Sequence, residues 1–446
     1  MKPNILHLTW HDVGRFLNCY GRKELVTPHI DQLAADGMRF TNYWATSAVC
    51  SPSRACALTG RYPQAIGVIG LCHAPENYSL NAGERHLSHI LRDAGWHTCL
   101  VGWQHETTHD KVRDSLGFQE IHLNDPLPPC DVVATRVVEW LRAHAQRQDK
   151  PFYLQAGFFE VHRPHTFGGV KPDAERGVYQ PPFLADSPRA RAELAQQQGM
   201  IRKADECAGV IFTALRELAL DDNTIVIFTS DHGVEFPRAK ATLYDPGIEI
   251  PLIIRWPKRG IAGGTVCDAL LSNVDYLPTL LDLVDLPKPA NLHGQSFSGV
   301  FPRFPRTPAR DEIHATFLSS HRAIRTRTHK LIWNISPHAA LAVPVLMERP
   351  QRMPAWAPWE LYDLQQDPLE SANLSSVRPF THAGSSSDEL AHHRTGAERA
   401  ALEIEAGMKQ RLWAWMERID DYILHGPERT PYYDRAMKEY LDTRSK

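Results

Sequence analysis

The chain has 446 residues, a formal net charge of −3 and 23% charged residues. That balance excludes a nucleic-acid binder built on bulk positive charge, and no run of about 18 apolar residues is present to span a membrane. The 43% hydrophobic content suits a large buried core, and the length suits one large α/β domain with a smaller one.

The chain starts Met1-Lys2-Pro3 and enters an apolar run at once. No basic, apolar and small-residue leader is visible, so the expected compartment is the cytoplasm, or the periplasm or exterior for a trimmed mature chain. Short apolar runs predict buried parallel strands at Asn4–Thr9, Thr98–Gly102, Phe152–Gly157, Thr224–Thr229 and Pro251–Arg255. Helical patterns lie between them at Ile30–Asp36, Leu87–Ala94, Asp131–Gln146, Ala190–Leu218 and Val274–Leu283. This alternation predicts an α/β fold: a large, mixed, mostly parallel sheet flanked by helices. Pro287–Pro308 reads as a connection. Beyond it, Glu312–Phe317, Arg322–Thr326 and Lys330–Trp333 read as antiparallel strands. Val343–Pro358 and Phe380–Arg394 read as loops, and Glu398–Arg418 as an amphipathic helix. The expected division is 1–300 for the larger domain and 301–446 for a smaller α+β unit.

Ligand sites in such sheets form at the carboxyl ends of strands. His11-Asp12 follows the first predicted strand, His105 the second, His162 the third and Asp231-His232 the fourth. Their shared position predicts that they converge. The eight cysteines form no Cys-x-x-Cys pair, which argues against a zinc knuckle or a thioredoxin motif.

The segment Cys50-Ser51-Pro52-Ser53-Arg54 continues to Leu58-Thr59-Gly60-Arg61-Tyr62-Pro63. Alone, it also fits a buried cysteine at a turn set by Pro52, with Arg54 in a salt bridge. It is accompanied by Asn4-Ile5-Leu6 with Asp12-Val13-Gly14, by Thr27-Pro28-His29-Ile30-Asp31, and by Ser230-Asp231-His232-Gly233. Pro251-Leu252-Ile253-Ile254-Arg255, Val274-Asp275-Tyr276-Leu277-Pro278-Thr279 and Glu360-Leu361-Tyr362-Asp363-Leu364 follow in order. With these matches the chain resembles the sulfatase family of the alkaline phosphatase superfamily.

The resemblance implies that Cys50 is oxidised to formylglycine by a formylglycine-generating enzyme, its maturation partner. The hydrated aldehyde of that family attacks sulfur with one hydroxyl, assisted by a divalent cation, and expels sulfate with the other. Asp12 and Asp231 match metal ligands, suited to Ca²⁺ with Mg²⁺ or Mn²⁺ as alternatives. His232 stands where many relatives carry asparagine. His11 stands where the family usually has a second aspartate, and reads equally as a ligand or as a satisfied strand-end histidine. Cys50, once modified, would complete the metal set.

Arg54 matches the arginine that holds the formylglycine, and Lys240 the lysine that contacts the sulfate. Arg238 is the rival cation in the same loop. His162 matches the family's general acid, and its neighbour His165 is a candidate for substrate contact. His105 matches a formylglycine-binding histidine in a family segment Gly-Lys-Trp-His. The lysine of that segment is missing, with Trp103 in its place. Trp103 could form an aromatic wall for a sugar, or pack in the core. His109 is a further candidate near the substrate, or a surface histidine.

Phe236-Pro237 to Leu243-Tyr244-Asp245-Pro246-Gly247 is similar to the corresponding part of heparan N-sulfatases. The implied function is hydrolysis of a sulfate ester or sulfamate, on a sulfated small molecule or glycan. One alternative is a phosphonate monoester or phosphodiester hydrolase of the same superfamily. The other is a non-catalytic binder of sulfated glycans.

Overall fold

The computed structural model describes residues 2–123, 127–147, 150–306, 310–335, 357–375 and 396–425. Its strands in chain order are β1 (Asn4–Trp10), β2 (Met38–Phe40), β3 (Tyr43–Trp44), β4 (His97–Gly102), β5 (Glu120–His122), β6 (Phe152–Gly157) and β7 (Thr224–Ser230). They continue with β8 (Leu252–Arg255), β9 (Thr265–Cys267), β10 (Leu271–Ser272), β11 (Ile313–Phe317), β12 (His321–Arg325), β13 (His329–Asn334) and β14 (Trp359–Asp363). Eight of them form one sheet in the order β5-β4-β6-β1-β7-β8-β2-β9.

The five predicted runs all form strands. Four of them, β4, β6, β1 and β7, are parallel neighbours. The fifth differs from expectation, because β8 pairs antiparallel with β7. A parallel neighbour needs a crossover that carries the chain back to the starting end, usually a full helix. The chain between β7 and β8 holds only the four-residue helix Asp245–Ile248, so it returns from the same end. Strands β2, β5 and β9 escaped the sequence reading because three residues carry no measurable period.

Alternation along β1 builds two core layers. Leu6, Leu8 and Trp10 pack with the helices Pro28–Asp36, Cys130–Arg147 and Pro188–Glu217. Ile5 packs on the other side, with Leu87, Leu91 and Leu277 of the helices Leu87–Asp93 and Tyr276–Leu283. Burying each such side chain contributes about 1.5–3 kcal/mol, and both faces of the central strands are covered. The second layer also takes in Ile313, Phe317, Ala323 and Tyr362, so the core runs on into the antiparallel sheet β11-β12-β13-β14.

The helix Gly396–Arg418 caps that small sheet. Met408, Leu412 and Met416 meet Ile324, Leu331 and Leu361. The loop expected at Val343–Pro358 lies outside the described residues as far as residue 356, as do Phe380–Arg394 and the tail after residue 425. No helix among the described residues is long and apolar enough to cross a membrane.

Candidate active site

The segment Cys50–Thr59 is a helix rather than a turn. Pro52 fits because it sits in the first turn, where its missing N–H has no intrahelical partner. Gly60 closes the helix with φ 68° and donates to the Cys56 carbonyl. Cys50 and Arg54 are one turn apart and therefore share a face. Cys50 is the first helical residue, where exposed amides favour negative charge.

The carboxyl ends of β1, β6 and β7 meet that helix. Asp12 N donates to Asp231 Oδ1 at 3.0 Å, joining the two strand ends. Arg54 Nε donates to Asp231 Oδ2 at 3.0 Å, and Lys240 Nζ donates to Asp12 Oδ2 at 2.6 Å. His232 Nε2 lies 2.9 Å from Asp12 Oδ1 and 3.3 Å from Cys50 Sγ. His11 Nδ1 lies 2.8 Å from Asp12 Oδ1 and 3.3 Å from Asp231 Oδ2. His162 Nε2 lies 3.8 Å from Asp12 Oδ2. Two close approaches explain the local glycines. A Cβ on Gly233 would sit 1.8 Å from Pro246 O, and one on Gly157 would sit 1.8 Å from Trp103 O.

Lys240 presses on one side of these carboxylates and Arg54 on another, beside a buried thiol. Burial penalises the Asp12 anion, but Lys240, His11 and His232 hold it well below the usual carboxylate range. Burial likewise opposes the Cys50 thiolate, and Lys240, His11 and His232 outweigh it. Burial disfavours the His11 cation, yet Asp231, Cys50 and Asp12 push it up to about 9. His162 moves the other way, to about 4, through burial and the Lys240 charge. Its Nδ1 bonds the Arg163 carbonyl at 2.7 Å, so Nδ1 carries a proton and Nε2 faces the site.

A divalent cation fits this donor set. One ligand atom each from His11, Asp12, Cys50, Asp231 and His232 lies within 4.8 Å of the others, and all five residues are buried. His232 Nδ1 bonds the Gly233 carbonyl at 2.8 Å, so a neutral ring aims a lone pair from Nε2 at the Asp12 carboxylate. Only a proton or a cation relieves that opposition. His11 Nε2 and both ring nitrogens of His105 are buried without a hydrogen-bond partner.

The structure brings together Cys50, Arg54, His11, Asp12, Asp231, His232, Lys240 and His162. His105 and Trp103 flank them: the Trp103 ring lies 5.0 Å from His105 and 6.0 Å from His11. Burial takes His105 down to about 4. His165 is buried against Phe236, with both ring nitrogens unpartnered. Arg238 is placed differently. Its Nη2 donates to the carbonyls of Leu369 (2.7 Å) and Glu370, and its guanidinium stacks 4.4 Å from the Tyr244 ring. Those contacts tie the Lys240 loop to the segment after β14.

Glu235, Asn273 and Ser53 were not singled out from the sequence. Glu235 Oε2 lies 3.6 Å from Lys240 Nζ and 3.7 Å from His162 Nδ1. Burial and the Asp12 charge push Glu235 up to about 7, against the pull of Lys240. Its position three residues after His232, between two runs already marked, was the available signal. Asn273 Nδ2 donates to Ser53 Oγ at 2.8 Å, and Ser53 Oγ donates to the Asp231 carbonyl. Nothing in the sequence pairs residues so far apart.

Paired carboxylates, flanking cations and a buried thiol at strand ends define a hydrolase for anionic esters. The sulfatase family model matches residues 3–286, well over half of the sequence, and the chain belongs to the sulfatase family. A second model, described as N-sulphoglucosamine sulphohydrolase, C-terminal, matches residues 236–386. Human N-sulphoglucosamine sulphohydrolase is 28% identical, over 84% of this chain and 86% of its own length. Human arylsulfatase A is 30% identical, over 83% of each.

Among solved structures, one holding its substrate D-glucosamine-2-N,6-O-disulfate superposes with a TM-score of 0.68 at 20% identity. It covers 94% of this chain and 99% of that one. The phosphonate monoester hydrolase of Agrobacterium radiobacter superposes with a TM-score of 0.70 at 19% identity, covering 94% and 96%. At such identities the likeness is one of fold. The fold is alkaline phosphatase-like, and the enzyme is a sulfuric ester hydrolase. Its family implies formylglycine and a divalent metal.

Proposed function

We propose that the protein releases inorganic sulfate from a sulfated carbohydrate, with a sulfamate on an amino sugar as the leading substrate. The match of residues 236–386 to the N-sulphoglucosamine sulphohydrolase C-terminal model supports the amino sugar. The observation that carries the chemistry is the Cys50 thiol, 3.3 Å from His232 Nε2, in a donor cluster flanked by Lys240 and Arg54.

Asp12, Asp231, His11, His232 and the modified residue 50 would hold the metal. The ion proposed is Ca²⁺, with Mg²⁺ and Mn²⁺ as rivals that a metal analysis separates. When bound, the cation and the formylglycine supply an activated oxygen nucleophile. Lys240 balances the negative charge of the sulfuryl oxygens, and Arg54, paired with Asp231, holds residue 50 and the metal-side charge. His162 Nε2 faces the leaving oxygen or nitrogen and, once protonated, delivers the proton to it, with its ring fixed by the Nδ1 bond to Arg163 O. The unpartnered nitrogens of His105 and His165 are available to the nucleophile side and to the substrate. Trp103 offers a ring face to the sugar.

A phosphonate monoester hydrolase is the second reading, favoured by Trp103 where sulfatases carry a lysine. Maturation by a formylglycine-generating enzyme is part of both readings. Turnover of N-sulfoglucosamine, O-sulfated glucosamines, nitrophenyl sulfate and phenyl phosphonate by the matured enzyme tests them. The proposal expects sulfate release from an amino sugar to be fastest. A clear preference for the phosphonate would overturn it.

A further inference from the structure

The edge of the large sheet carries a second cluster of metal-ligating side chains, away from the strand ends that form the catalytic centre. Strands β4 and β5 are parallel, with Cys99 opposite Glu120 and Val101 opposite His122. Alternation along each strand places His97 and Cys99 on one face of β4, and Glu120 and His122 on the same face of β5. The helix Cys130–Arg147 covers that face with Trp140. One ligand atom each from Cys99, Glu120 and His122 lies within 4.8 Å of the others.

We propose that Cys99, Glu120 and His122 form a zinc-binding site. A tetrahedral zinc centre with bonds of about 2.0–2.3 Å separates its donors by about 3.3–3.8 Å, so the cluster needs to tighten by at most roughly 1 Å. The donor set of thiolate, imidazole and carboxylate suits Zn²⁺ and not the hard cations expected between Asp12 and Asp231.

The carboxylate is already oriented. His97 Nε2 lies 2.8 Å from Glu120 Oε1, and Trp140 Nε1 donates to Oε2 at 2.8 Å. Such outer contacts fix a ligand's direction in metal sites. Arg147 Nη1 approaches Oε1 at 3.7 Å. Cys99 is fully buried beside the His97–Glu120 pair, and His122 Nε2 faces the same carboxylate at 3.5 Å from Glu120 Oε2, so thiol, imidazole and carboxylate converge on one point. As the Sγ–Zn bond forms, the Cys99 proton passes to water and no oxidation state changes.

The consequence is local order with a route to the catalytic cavity. Strand β5 has three residues and, among the described residues, pairs only with β4, so a metal clamp adds an anchor beyond that pairing. The chain beyond β5 places Leu123, Leu127 and Pro128 around a cavity of about 240 Å³ that Trp103 and His105 also line. Zinc at β5 would therefore hold one wall of the space beside the catalytic histidines.

The test uses the full-length chain carrying Cys50→Ala, which removes the catalytic thiol as a source of signal, with Co²⁺ as the probe. The proposal expects a near-ultraviolet thiolate-to-cobalt charge-transfer band whose plateau intensity corresponds to one thiolate-bound cobalt per chain. Adding Cys99→Ser abolishes the band, and adding His122→Asn raises the cobalt concentration at half-saturation of the band at least tenfold. Zn²⁺ displaces the cobalt and bleaches the band. Absence of the band, or its survival in Cys99→Ser, overturns the proposal. If Cys99→Ser fails to fold by circular dichroism, an unchanged half-saturation of the band in His122→Asn overturns it instead.

Discussion

Asn273 is the brace behind the Cys50–Thr59 helix, and its removal should weaken both stability and turnover. Its Oδ1 accepts from Thr46 N at 2.9 Å. Its Nδ2 donates to Ser53 O at 3.1 Å and to Ser53 Oγ at 2.8 Å. In Asn273→Ala, Ser53 O keeps its helical acceptor role, and Ser53 Oγ keeps its bond to the Asp231 carbonyl. The Thr46 amide is then stranded in the interior. A stranded buried group costs about 1–3 kcal/mol, with up to about 1 kcal/mol for each hydrogen bond lost. Ser53 and Asn273 line a cavity of about 20 Å³, room for about one water that could recover part of the loss. The expected net loss is therefore about 2–3 kcal/mol. Because the helix carries Cys50 and Arg54, a shift of about 1 Å would cost up to roughly 100-fold in rate. Urea unfolding and kcat on the same preparations measure the two effects. A stability loss below about 0.5 kcal/mol, together with unchanged kcat, would refute the reasoning.

Gly233→Ala should abolish activity and metal retention together, since a Cβ there meets Pro246 O at 1.8 Å and must displace the Asp231–His232 turn. Activity and bound metal equal to the parent would exclude that packing. Asp421→Ala should cost about 3–5 kcal/mol by leaving Arg322 fully buried without its carboxylate partner. The double change Arg322→Met with Asp421→Leu should recover most of it, and urea midpoints decide.

Asp245 should make the fold acid-sensitive. Its burial is outweighed by Arg325 and Lys330, which hold its folded-state pKa below the unfolded value. The stabilisation is full above about pH 4, the unfolded range of aspartate, and is lost as pH falls through the lower folded value. Asp245→Asn should flatten stability against pH in that window; an unchanged slope would remove Asp245 as the cause.

The placement of the site was largely legible because it follows from topology. His11, Asp12, His162, Asp231 and His232 each follow an apolar run, and parallel strands deliver their carboxyl ends to one side. Cys50 was legible only through its motif. Its helix was not, because Pro52 reads as a turn until its place in the first helical turn is known. The antiparallel direction of β8 was hidden for a similar reason, since an apolar run carries no sign of direction. In the sequence Lys240 matched the family lysine, with Arg238 as its rival in the same loop. Backbone geometry separated them, with Arg238 at φ 67° turning toward Leu369 and Glu370 while Lys240 reaches Asp12. Asn273 and Ser53 could not be paired at all, as they meet only after the helix packs against the turn that follows β10.

The most direct test of the central claim compares sulfate release with the state of residue 50. Preparations made with and without a formylglycine-generating enzyme will differ in the fraction of Cys50 converted, which intact mass reads as the thiol-to-aldehyde difference. The account predicts that sulfate released from N-sulfoglucosamine rises in proportion to that fraction, and that Cys50→Ala gives none. Equal activity in converted and unconverted protein, or activity retained in Cys50→Ala, would contradict it.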